Sequence, residues 1–207
     1  PHITAATAMD ALTHATEAFT CLAKNPLSDA YATAAIKKIR QSLLQVMDNP
    51  KDSDGRLELA QASTMAGIAF SNSMVGLVHA LGHATGAICH LPHGLCMSLY
   101  LPYALEYNLE TIRESLGELL LHLEGPEVFS ATPASRRAEA SISAIRKLRD
   151  ALYKRCQLPR TLKETGKVTE AQLDPIAEMA LDDGAIMFNP REVTLEDARA
   201  VLQRAWV

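Results

Sequence analysis

Residues 56–84 read RLELAQASTMAGIAFSNSMVGLVHALGHA, and this stretch decides the fold class. Helix-compatible residues run through it almost without a break, and Ala, Gly and Ser recur throughout, so a helix formed here can lie close against its neighbours. Such a segment belongs at the centre of a bundle, as one long helix or, if Gly67 or Gly76 interrupts it, as two. Near its end His79 and His83 stand one helical turn apart.

Working outward, the pattern stays helical. Residues 4–22 place apolar side chains at three- and four-residue spacing, with Thr residues able to cap the start. After Asn25-Pro26, Ser28 is a good N-cap for a second helix whose later turns carry Lys37, Lys38 and Arg40, and residues 48–55 form a loop. Gly86 can end the central segment. A further helix runs over 93–108, with Pro102 expected to kink or restart it, and a charged amphipathic segment follows over 110–123. Thr132 and Pro133 look like the cap and first residue of a helix reaching Cys156. Thr169 and Thr194 head two short closing helices with acidic first turns. No repeat and no cleanly alternating strand is present, apart from an ambiguous piece at 185–188. The expected fold class is all-α, a multi-helix bundle.

Composition narrows the function. The chain has 20 Lys+Arg against 24 Asp+Glu, a formal charge of -4, so no basic excess attracts a phosphate backbone and nucleic acid is not an expected partner. No apolar run reaches the roughly 18 residues of a membrane span. The four cysteines, Cys21, Cys89, Cys96 and Cys156, contain no CxxC pair, and reduced thiols in a cytoplasmic protein are expected. The start, PHITAATAMD, has neither an initiator Met nor a signal segment and reads as the beginning of a cut fragment.

The chemistry gathers on histidine. Asp10 and His14 lie four apart, on one face of the first helix; His79 and His83 repeat the spacing; His90 and His93 follow. A lone histidine is ordinarily a satisfied core or surface residue, but five of the seven histidines fall in these two windows. Imidazole with carboxylate suits Zn(II) or Fe(II), and the sequence separation requires a site assembled between helices. HALGH carries Ala80 where a zinc protease helix needs its glutamate base, and neither a His-Asp dipeptide nor a carboxylate cluster for paired Mg(II) ions is present. One metal with an open coordination position, polarising an alcohol or carbonyl oxygen, remains, with hydride supplied from outside.

Three segments, MDALTHATEAF (9–19), GLVHALGHATGAICHLPHG (76–94) and NPREVTLEDARAVLQRAW (189–206), resemble the matching segments of the iron-containing alcohol dehydrogenase family, in the same order over nearly the whole chain. The H-x3-H-x9-H arrangement followed by Gly is the specific part. The resemblance implies a dehydroquinate synthase-like helical domain spanning 1–207 that binds metal and substrate. Asp10, His14, His79 and His93 would ligate Fe(II) or Zn(II), and His83 would stand near the nicotinamide and the substrate oxygen as a proton relay. His90 is left as a loop histidine, Cys89 and Cys96 as packing residues, and Gly94 as permitting close packing beside the last ligand. The family's N-terminal nucleotide-binding domain, with its Gly-rich turn, is absent from the chain, so NAD(P) would be held mainly by the missing half and the isolated chain would be weak or inactive. The expected partners are a small alcohol or aldehyde, the missing domain and a second copy in a homodimer. Two other readings stay open: a dehydroquinate synthase-like or glycerol dehydrogenase-like helical domain, and a non-catalytic helical metal-binding module whose coordination sphere is closed.

Overall fold

A computed structural model describes residues 1–207, and all of its regular structure is helical. The helices are α1 (His2–Thr20), α2 (Pro26–Asp48), α3 (Ser53–Ser71), α4 (Leu77–Cys89), α5 (His93–Glu124), α6 (Pro126–Ala131), α7 (Arg137–Cys156), α8 (Leu173–Leu181) and α9 (Leu195–Trp206), joined in places by single 3-10 turns. The all-α expectation holds, and the ambiguous piece at 185–188 lies in one of those turns, Gly184–Phe188. No helix is long and apolar enough to cross a membrane. A continuous buried cluster draws on every helix except α6.

The central stretch is two helices. Between α3 and α4 the chain leaves helical geometry at Asn72–Gly76, and Ser73 turns its hydroxyl back to the Ala69 carbonyl at 2.9 Å. The break frees the first N–H groups of α4, which take side-chain acceptors from distant parts of the chain: Leu77 N–H donates to Asn189 Oδ1 (3.2 Å) and Val78 N–H to Glu17 Oε1 (2.8 Å). Helix starts need such partners, and a periodicity reading cannot see acceptors that arrive from 61 and 112 residues away.

Other boundaries also moved. The N-cap of α2 is Asn25; Ser28 is the third residue of the helix and completes a capping box with it. The 93–108 and 110–123 segments form one helix, α5, which continues without a break past Pro102. Proline there removes a donor and crowds the preceding turn, a cost of about 3 kcal/mol. Leu99, Leu101 and Leu105 beside it are almost fully buried, and each contributes roughly 1.5–3 kcal/mol. Packing therefore outweighs the local penalty. Thr132 ends α6 rather than starting the next helix: its hydroxyl bonds the Val128 carbonyl, and α7 begins at Arg137. Thr194 caps α9 as expected, with Asp197 reciprocating.

Small residues set the closest helix approach. A Cβ added at Gly82 would fall 1.9 Å from Met97 Cε, and one at Gly94 would fall 2.5 Å from the Ala6 carbonyl oxygen. These two glycines let α4 and α1 press against the start of α5, and that junction carries the histidines.

Candidate metal centre

Helix α1 presents Asp10, His14 and Glu17 toward α4, α4 presents His79 and His83 one turn apart, and α5 opens on His93. One ligand atom from each of Asp10, His14, His79 and His93 lies within 4.8 Å of every other. Asp10 Oδ1 is 3.3 Å from His93 Nε2 and 3.4 Å from His14 Nδ1. His14 is stacked on Phe70 of α3, with ring centroids 4.3 Å apart, and tilts against His79 at 4.4 Å.

The four groups are held in unequal environments. His79 is buried, whereas the His93 side chain is 42% exposed, so the cluster opens to solvent on one side. Burial, then the nearby His79 ring, hold the His14 imidazole down at a pKa of about 4, so it is neutral at pH 7 and has a lone pair to give. Burial pushes the Asp10 carboxyl up, but the close approach of the His93 ring nitrogen and the charges of the surrounding imidazoles outweigh it, and the net shift is downward. The Asp10 carboxylate at 3.3 Å draws the His93 pKa upward against its own partial burial.

Two atoms in the cluster, Asp10 Oδ1 and His79 Nε2, are buried with no hydrogen-bond partner. Unpaired buried acceptors cost about 1–3 kcal/mol each. Their convergence within one cluster is what a cation site requires, and three imidazoles with one carboxylate are a donor set that Fe(II) or Zn(II) accepts.

His83 stands beside the cluster and outside it. Its ring is 5.6 Å from His79 and 5.3 Å from His93, and its side chain is 46% exposed. Nδ1 lies 2.7 Å from Asp183 Oδ2, while the other Asp183 oxygen accepts the Ala185 N–H at 2.8 Å. His90 points elsewhere: it ends α4 in the left-handed region (φ 53°), exposed and apart from the four. Cys89 and Cys96 are buried free thiols. Burial, with Cys89 adding to it, raises the Cys96 thiol to about 12, so it stays protonated.

Three residues at this junction carry no distinguishing mark in the sequence. Of these Glu17 has the nearest thing to one: it follows His14 by three positions on the same face of α1. Asp183 is 100 residues from His83, and its only local mark is its capping place in an Asp-Asp-Gly turn. Phe70 reads as an ordinary core aromatic.

The class defined here is an all-helical domain assembled around three imidazoles and a carboxylate on adjoining helices. The chain belongs to the Fe-containing alcohol dehydrogenase family, matching its C-terminal part over residues 4–206. It is 37% identical to alcohol dehydrogenase 4 of Saccharomyces cerevisiae, over 100% of this chain and 51% of that protein. It is 36% identical to a 1,3-propanediol dehydrogenase of Klebsiella pneumoniae, over 99% of this chain and 51% of that one. A crystal structure of a 1,3-propanediol oxidoreductase superposes with a TM-score of 0.91 at 34% identity, covering 98% of this chain and 51% of that one. The chain thus spans about half the length of the relatives it matches.

Proposed function

We propose that this chain is the metal-bearing half of an NAD(P)-dependent alcohol dehydrogenase, with Asp10, His14, His79 and His93 holding one divalent ion. The observation that carries this reading is the pair of buried, unpartnered acceptors, Asp10 Oδ1 and His79 Nε2, inside a cluster of four ligand-type side chains. The family's description favours Fe(II), and the same donors accept Zn(II). When bound, the ion supplies a Lewis acid for an alcohol or carbonyl oxygen.

The chain's own residues supply the rest. The exposed edge at His93 leaves an approach for a small substrate, which a closed structural site would deny and a catalytic one requires. His83, turned by Asp183, presents its outer ring nitrogen beside that approach and takes or returns the proton of the substrate hydroxyl. No covalent nucleophile is needed, because a bound nicotinamide would supply or accept the hydride. The nicotinamide nucleotide would be held mainly by an N-terminal α/β half, since these helices carry no Gly-rich phosphate turn. Relatives named as an alcohol dehydrogenase and a 1,3-propanediol dehydrogenase favour a short-chain alcohol or diol as substrate. Four free, buried cysteines suit a reducing, cytoplasmic compartment.

Elemental analysis after anaerobic reconstitution with Fe(II) or Zn(II) tests the reading. About one ion per chain, lost in His93→Ala, is the expected result. The same trace, nonspecific content in both proteins removes the four-residue site.

A further inference from the structure

Resting on the metal-site reading above, we infer that Glu17 is the positioning residue that sets the tautomer and aim of His79. Glu17 is 5% exposed on α1, and neither Lys nor Arg pairs with it; its one ion-pair partner is His79. A buried carboxylate without a fixed cation is costly to keep, so its two oxygens must be well used. Oε1 accepts the Val78 N–H at 2.8 Å, and Oε2 meets His79 Nδ1 at 2.5 Å.

The chemistry of that second contact is one-directional. An ionised carboxylate only accepts, so the neutral His79 ring carries its proton on Nδ1. Nε2 is then left with a lone pair, and Nε2 is the buried atom without a partner that faces Asp10 and His14. A carboxylate on the far nitrogen also makes the imidazole a stronger donor toward a cation. Backbone geometry enforces the arrangement. Asn189 Oδ1, held by a reciprocal amide pair with Asn108 (2.8 Å each way), takes the Leu77 N–H while Glu17 takes the next one. Any side chain at Gly76 would start 3.0 Å from Asn189 Oδ1 and 3.3 Å from Glu17 Oε1, so glycine is what lets both acceptors reach the start of α4. Glu17 therefore caps α4 and orients its first histidine with the same carboxylate.

Glu17→Gln separates the two jobs. Its amide oxygen can still accept from Val78, but the NH2 then faces His79 Nδ1 and drives the ring proton to Nε2. Nitrogen-15 NMR of the metal-free, histidine-labelled chain should find His79 as the Nδ1–H tautomer in the wild type and shifted toward Nε2–H in Glu17→Gln. Zn(II) affinity measured against a competing chelator should fall about 10–100-fold in the variant, with the metal-free melting temperature changed by only a few degrees. An Nε2–H tautomer in the wild type overturns the inference, as does a variant that binds zinc within twofold of wild type. Should the variant fail to fold, the wild-type tautomer alone decides. A wild type that binds no zinc yet shows the Nδ1–H form removes the metal reading and still supports control of His79 by Glu17.

Discussion

Two ends of the molecule are rich in charged and titratable side chains, and they use them in opposite ways. Along α5, α7 and α9, charges are matched within the chain. Glu106 accepts from Arg146 (2.8 Å) and from Arg204, Arg113 bonds Glu139 (2.6 Å) and Glu110 (2.8 Å), and Arg146 lies over the Tyr103 ring. Where an atom there goes unpaired, as Arg149 Nε and Glu139 Oε2 do, another atom of the same group is bonded, to the Arg160 carbonyl and to Arg113 respectively. At the junction of α1, α4 and α5 the reverse holds: acceptors converge, and two are buried with nothing to receive. The difference teaches that density of charge does not mark a functional site. A surface network that satisfies itself contributes about 0–1 kcal/mol per pair and asks for no ligand, whereas buried acceptors left facing one another cost about 1–3 kcal/mol each until a cation is supplied.

Removing Asp10 should have the largest effect. Asp10→Ala is expected to weaken metal binding on the order of a thousandfold, more than the 10–100-fold typical of an outer partner. Glu106→Gln, at the self-satisfied end, should leave it within about twofold and cost about 1 kcal/mol of stability. Chelator competition and thermal melts of both variants check this, and equal metal affinities would erase the contrast between the two ends.

His83→Ala comes next. In an enzyme that includes the nucleotide-binding half, metal content should stay at the wild-type level while turnover drops about 10²-fold or more, the range expected on losing a general acid-base group. Loss of metal instead would move His83 among the ligands.

The smallest effect is on acid stability of the metal-free chain. His14 has a folded pKa of about 4 against 6.5 for the free side chain, so the unfolded chain binds the extra proton first. Proton uptake by the unfolded chain therefore costs the fold nothing above pH 6.5 and a growing penalty as pH falls toward about 4, roughly 3 kcal/mol in all. At the other end Glu139 is held below its usual range by the hydrogen bond from Arg113, so its contribution is lost only as pH falls through that depressed pKa. Denaturant melts between pH 7 and 4 should therefore show a stability slope that His14→Gln reduces, leaving the smaller share from the half-buried His122, and that Glu139→Gln keeps.

Most of the helical architecture was legible because helix formers at 3.6-residue spacing are a local signal. Thr194 with Asp197 shows such a signal surviving intact, since a capping box needs only residues three apart. Failures came where a distant group intervened. At Pro102 the helix does not restart, because the buried leucines on either side of it in the chain outweigh the lost backbone bond. The split between α3 and α4 depended on acceptors from Glu17 and Asn189, which no local window contains.

By itself the sequence determined that the chain is helical and that Asp10 with His14, and His79 with His83, occupy common faces, because a side chain's direction along a helix follows from backbone geometry. It also carried, through the spacing that ends at His93, the likeness to the family to which the chain belongs. Spacing alone leaves His79 and His83 equivalent and the resemblance implied their different places, but only the tertiary structure decided that Glu17 and Asp183 are their partners. Those facts depend on how closely α1, α4 and α5 approach and on which buried acceptors find donors, and both are properties of packing between segments far apart in the chain.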